Sequence, residues 1–170
     1  MIQIIKNYMI KLFIGSIFLF YSIPVLSLTE DSKHPINIYS NNQSIDILKN
    51  IATATGTVLV THGSIKLIAD KVIVIRSGNN NKKIIIDAYG NLTTFYQMQD
   101  NGKPIRGHAK NIHYELNTNK IELKGSAYIE QFNSNLKCDH LIYLIKENKI
   151  EAISNSGNHV TSTILPSQLK

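Results

Sequence analysis

Six histidines, one cysteine and twelve acidic residues are the groups with which this 170-residue chain could do chemistry. The histidines are His34, His62, His108, His113, His140 and His159, and none makes an HExxH pair or a cysteine–histidine cluster. Zinc needs ligands at spacings of that kind, so the pattern builds no zinc site. No serine stands in a Gly-x-Ser-x-Gly elbow. Asp70 and Asp139 are the most suggestive carboxylates, because they occupy equivalent places in an internal repeat. An aspartate at a strand corner accepts a backbone N–H and fixes the bend, and recurrence fits that duty better than catalysis. A β-helical glycosidase would need two carboxylates facing each other across a cleft. Nothing in the spacing of the remaining acids selects such a pair. The residue types point away from reaction chemistry and toward binding, with no enzyme activity, no cofactor and no metal expected.

The repeat is what positions these residues. Gly56 to Val74, GTVLVTHGSIKLIADKVIV, lies over Gly125 to Tyr143, GSAYIEQFNSNLKCDHLIY, at a shift of 69 positions without a gap. Gly56 falls on Gly125, Val60 on Ile129, Leu67 on Leu136, Ala69 on Cys138 and Asp70 on Asp139. Apolar residues recur at every second position in both copies, the period of a strand with one buried face. A weaker third copy of the ending is AKNIHY at 109–114. Similar β units that share one core are implied.

Residues 1–27 read as a signal peptide. Lys6 and Lys11 precede an uncharged apolar run from Leu12 to Tyr21, and Pro24, Val25 and Ser27 have the character of a cleavage region. The run is shorter than the roughly 20 apolar residues that span a bilayer. Cleavage after Ser27 leaves residues 28–170 as one exported β domain. It also removes two lysines and no acid from a chain of formal net charge +6. A mild basic excess suits acidic partners, but its cations are scattered and no aromatic RNA-binding signature is present, so no nucleic acid is expected. The single Cys138 excludes an internal disulfide. Its match to Ala69 suits a small inward-facing group.

Strands follow from the alternation. Ile36 and Ile38 open the first, Ile45 and Ile47 mark the second, and the first repeat follows. Ser77 to Lys83, SGNNNKK, has the composition of an exposed loop. Tyr89–Gly90–Asn91 reads as a turn, and Thr93 to Met98 as a strand. Asp100–Asn101–Gly102 is a strong hairpin signal, since Asn-Gly readily adopts positive φ. The second repeat runs to Tyr143, and Val160 to Leu165 is the last strand. No convincing amphipathic helix appears. The fold class is all-β.

Several runs carry a resemblance. TTFYQMQDNGKPIRGHAKNIHYEL (93–116), PINIYS (35–40), THG (61–63), IKLIADKVIVIR (65–76) and VTSTILPSQL (160–169) closely resemble the OstA-like family of periplasmic lipopolysaccharide transport proteins. The resemblance covers almost the whole chain. It implies a twisted, V-shaped open β-jelly roll of short antiparallel strands whose apolar interior holds the acyl chains of lipopolysaccharide. It further implies a non-enzymatic bridge from an inner-membrane complex, through an LptC-like partner, to an outer-membrane translocon with an LptD-like partner. Relatives can carry a longer, lysine-rich tail after PSQL, whereas this sequence stops at Lys170.

Alternation, strengthened by the resemblance, nominates Ile36, Ile38, Phe95, Tyr114 and Leu116 as acyl-chain contacts. Arg76 is nominated for the phosphorylated head group or the groove rim on charge and strand-end position alone. Phe95, Tyr114 and Arg76 are expected near strand ends, where a roll that does not close would present them to lipid. Ile36 to Ser40 and Val160 to Leu165 carry little charge and no internal proline, so they are unblunted edges open to strand addition. A head-to-tail homo-oligomer is expected through them. Two alternatives remain: a β scaffold that joins envelope proteins without holding lipid, and a glycan-active enzyme.

Overall fold

The computed structural model describes Asp31 and residues 34–77, 83–155 and 157–165. The signal peptide expected at 1–27 and most of the loop expected at Ser77 to Lys83 lie outside the described residues. Ten strands follow in order: β1 (Ile36–Tyr39), β2 (Asn42–Asp46), β3 (Ile51–His62), β4 (Ile65–Ser77), β5 (Lys83–Met98), β6 (Pro104–Glu115), β7 (Lys120–Gln131), β8 (Ser134–Leu144), β9 (Lys149–Ile153) and β10 (Thr161–Thr163). All pair antiparallel in a single open sheet, in the order β1-β3-β4-β5-β6-β7-β8-β10, with β2 also on β3 and β9 also on β8. The fold is all-β and jelly-roll-like, as the sequence implies.

A crease organises the sheet. In each pairing from β3·β4 to β7·β8 the register shifts once, at Thr55/Val58, Ile68/Lys71, Tyr89/Thr93, His108/Asn111 and Lys124/Ala127. These bulges run from strand to strand, and a bulge bends its strand. The repeat supplies matching hinge residues, with Gly56 at φ 97° and Gly125 at φ 80°. Backbone donors released at the crease find side-chain acceptors: Asn41 Oδ1 takes Thr57 N–H at 2.9 Å, Asp70 Oδ2 takes Asn91 N–H at 3.2 Å, and Asp139 Oδ2 takes Asn155 N–H at 2.8 Å. Both repeated aspartates thus fix corners. One sequence expectation is corrected here. Tyr89–Gly90–Asn91 is no hairpin turn but the bulge within the 16-residue β5, because a bulge and a turn favour the same residues.

The crease divides the sheet into two facing walls. The first comprises β1, 58–69, 93–109, 127–138 and β10, and the second β2, 51–55, 71–77, 83–89, 111–124 and 140–153. Their inward residues form one core. Val58, Val60, Ile65, Leu67, Phe95, Ile105 and Ile129 of the first wall meet Val72, Ile86, Ile112, Tyr114, Ile121, Leu123, Leu141 and Tyr143 of the second, all at most 2% exposed. Ring pairs join the walls, with His62 and Tyr114 centroids 5.9 Å apart and those of Phe95 and Tyr143 6.1 Å apart. Burying each large side chain contributes about 1.5–3 kcal/mol.

Both sheet edges are interrupted. β1 and β2 lie end to end along β3, and β10 and β9 along β8. The last strand is shorter than the sequence suggests, three residues instead of Val160 to Leu165. Seven of the eleven large hydrophobic residues exposed among the described residues belong to the edge segments and their turns: Tyr39, Ile45, Ile47, Leu48, Ile153, Val160 and Ile164.

Candidate functional site: the groove between the walls

At the β1/β2 edge the space between the walls opens into a mouth of about 390 Å³. Alternation sets its lining. Ile36 and Ile38 are the inward residues of β1, half-buried while Asn37 and Tyr39 are exposed. Ile45, Ile51, Ala52 and Val74 line it from the second wall. Arg76 stands on the rim, exposed, with its backbone N–H donating to Asn50 O at 3.0 Å. Three of the six nominated residues, Ile36, Ile38 and Arg76, therefore share one opening.

The other three lie elsewhere. Phe95 and Tyr114 are not at a rim: they are 2% and 0% exposed and sit in the closed core. Their alternation was legible, but the fold that brings the opposite wall over them was not. Leu116 is partly buried against the core at the β6–β7 turn, its N–H bonded to Ile84 O at 3.1 Å. The mouth residues Ile51, Ala52 and Val74 escape sequence reasoning. Val72 to Ile75 is apolar on both faces, so alternation cannot orient it.

His62 Nδ1 and the Tyr114 hydroxyl are 3.0 Å apart across the groove. Burial pushes the His62 imidazolium below its ordinary pKa, with the nearby Asp31 carboxylate opposing. Burial likewise pushes the Tyr114 phenol well above the usual tyrosine range. At neutral pH the pair is one uncharged hydrogen bond, which an apolar interior tolerates. Cys138 is buried, its thiol donating to His140 O at 3.3 Å, and burial raises its pKa. It behaves as the small inward group its position suggests.

Apart from the buried Asp31, the charged groups described lie mostly on the outside. On the outer face of the second wall, His113 Nδ1 lies 2.6 Å from Asp87 Oδ1. Glu122 pairs with Lys124 at 2.7 Å and Lys120 at 2.9 Å. Burial pushes the Glu122 carboxyl up, but the two ammonium groups outweigh it and leave the pKa at about 2. Among the described residues no cluster of histidine, cysteine and carboxylate could hold a metal ion. The arrangement can solvate an apolar chain between its walls.

Comparisons with known proteins agree with this geometry. Residues 37–149 match the family model described as LptA/(LptD N-terminal domain) LPS transport protein. The chain is 48% identical over 161 residues to the lipopolysaccharide export system protein LptA of Escherichia coli K12, covering 95% of this chain and 87% of that protein. It is 37% identical to the protein of the same name from Haemophilus influenzae, over 85% and 84% of the two chains. The crystal structure of LptH from Pseudomonas aeruginosa superposes with a TM-score of 0.73 at 19% identity, covering 80% of this chain and 99% of that one, which shows the fold. This chain belongs to the LptA/LptD N-terminal domain family of lipopolysaccharide transport proteins.

Proposed function

We propose that the protein is a non-enzymatic periplasmic carrier in lipopolysaccharide export. It takes acyl chains between its two walls and bridges an LptC-like inner-membrane partner to an LptD-like outer-membrane partner. The observation that carries this reading is the groove opening at the β1/β2 edge, where Ile36, Ile38, Ile45, Ile51 and Val74 form an apolar lining with Asp46 and Arg76 among its charged neighbours. Each buried methylene is worth about 0.8 kcal/mol, so one twelve-carbon chain gains on the order of 10 kcal/mol. That gain can hold an amphiphile with no catalytic group. Acyl chains enter past Ile36 and Ile38, meet Leu116 along the second wall, and reach Phe95 and Tyr114 as the walls part. Arg76 on the rim is free to pair with a phosphate of the head group.

Edge strands with unpaired N–H and C=O groups supply the joins. Because β1/β2 and β9/β10 are different surfaces, the contact between copies is heterologous and grows head to tail without closing. The export partners use the same two edges. Residues 1–27 are the cleaved leader in this reading, and the mature chain begins at Leu28.

The test is intact-mass spectrometry of protein extracted from cells. Bound lipopolysaccharide is expected in the wild type. Ile38→Asp should retain the fold and lose most of the lipid, because it places a carboxylate at a half-buried mouth position. Loading equal to wild type in that variant rules out the mouth. A wild type always free of lipid, yet joined edge to edge in light scattering across a dilution series, would favour the scaffold instead.

A further inference from the structure

A second cavity, of about 410 Å³, lies on the side of the roll opposite the crease, where the turns of the two walls meet. Its lining is unlike that of the groove. Gln97, Gln99, Asn101, Asn119 and Asn148 bring five carboxamides to it, and of its ten lining residues only Ile145 lacks a polar side-chain atom. Several belong to a network. Gln99 Nε2 donates to Tyr143 Oη at 3.2 Å and to Asn148 Oδ1 at 2.5 Å, and Gln131 Nε2 donates to Gln99 Oε1.

One group stands outside it. Gln97 is 5% exposed and its Oε1 has no hydrogen-bond partner, although its Nε2 donates to Asp31 Oδ2 at 3.5 Å. A buried acceptor left unpaired costs about 1–3 kcal/mol, so a turn of the Gln97 carboxamide toward a donor in the cavity would recover that cost. A carboxamide both donates and accepts, as a sugar hydroxyl does, and the volume falls in the range of small-ligand pockets. Charge narrows the class further. Asp31 and Asp100 against Lys146 leave the lining with a net negative charge, which disfavours a phosphate and suits a neutral or amino sugar.

The place of Tyr143 connects this cavity to the groove. Its ring packs on Phe95 in the core, while its hydroxyl accepts the Gln99 bond at the cavity wall. An amphiphile whose acyl chains run below that ring would present its sugar to the carboxamides above it. We infer that this cavity is a saccharide site, and that it receives the unphosphorylated face of the sugar to which the carried acyl chains are attached. The inference rests on the acyl-carrier reading for the source of the sugar. It does not need that reading for the chemistry of the site.

The experiment is an NMR titration of the full chain with an acyl-free, unphosphorylated glucosamine disaccharide. It is expected to shift the side-chain amide resonances of Gln97, Gln99 and Asn148 at millimolar concentration in the wild type, and to leave those of Gln99 and Asn148 in place in Gln97→Leu. Absence of shifts in the wild type at tens of millimolar would overturn the site, and that measurement requires no variant. In parallel, binding of lipopolysaccharide and of a sugar-free twelve-carbon fatty acid is compared in wild type and Gln97→Leu. The ratio of the two affinities should change about tenfold against lipopolysaccharide, and an unchanged ratio counts against the inference. An N-acetylated wall-type disaccharide serves as the source control. If it still shifts these amides in lipopolysaccharide-loaded protein, the cavity binds wall glycan and the assignment to the carried lipid is overturned. Failure to bind the fatty acid would instead sink the carrier reading, with the free-disaccharide titration judged separately.

Discussion

Phe95 offers a direct test of whether acyl chains penetrate between the walls. Its ring is 2% exposed and packs on Tyr143 across the groove. Phe95→Ala leaves a cavity in the lipid-free protein, and such truncations cost about 3–5 kcal/mol. For a domain of this size each kcal/mol lowers Tm by roughly 4 °C, so a loss of about 15 °C is expected. Loaded protein should behave differently. A chain that reaches Phe95 can place about four methylenes in the vacated space and restore about 3 kcal/mol. The loaded variant should therefore lose only about 5 °C. Thermal unfolding followed by circular dichroism on lipid-free and lipid-loaded samples gives both numbers. Equal losses in the two states would mean that no chain reaches Phe95 and that the residue is ordinary core. The closed core also sets the expectation for Phe95→Asp. A roll open at its rim would tolerate that carboxylate, whereas here it should unfold the lipid-free protein, since an unpaired buried charge costs several kcal/mol.

Two further outcomes follow from the crease and the outer face. Glu122, with its pKa held at about 2 against an ordinary 4.5, contributes stability that is fully present above about pH 5 and lost as pH falls toward 2. Solvent screening reduces that contribution to about 1 kcal/mol, so urea midpoints of wild type and Glu122→Gln should differ at pH 6 and converge near pH 2. A constant difference would refute the pairing with Lys120 and Lys124. Gly56→Ala forces a side chain into φ 97° and drives its Cβ into Asn41, which caps Thr57. It should cost about 2–3 kcal/mol, against about 1 kcal/mol for Gly102→Ala, where φ is 73° and the space is open. Equal losses in chemical denaturation would show that Asn41 does not clasp the crease.

The repeat made much of this fold legible. Gly56 and Gly125 both take positive φ at the crease, and Asp70 and Asp139 both accept a backbone N–H there. Alternation also put Ile36 and Ile38 on the correct face. The crease itself was hidden, because a bulge is written in turn residues. Tyr89–Gly90–Asn91 therefore ended a strand on paper that continues in space. Contacts between the walls were illegible for another reason. His62 meets Tyr114 over 52 residues and Gln99 meets Tyr143 over 44, distances at which no local period carries information. The polar seam did leave a trace that sequence reading passed over. Phe95, Gln97 and Gln99 follow one another on a single inward face, and two glutamines in that series mark where the core ends.

The interrupted edges set a unit of length. Each wall is eight strands wide, since β1 and β10 complete the first wall and β2 and β9 the second. Strands lie about 4.8 Å apart in the hydrogen-bonding direction, so a copy added at an edge by strand pairing lengthens both walls by about 38 Å. A bridge assembled in this way spans a gap only in whole steps. Whatever fraction of a step remains must be absorbed by tilt of the bridge or by the reach of the partners at its ends. Because each edge is split at the crease, a joining copy must also match two registers at once. A slip of one residue in either wall would turn that wall's apolar face outward and break the groove at the junction.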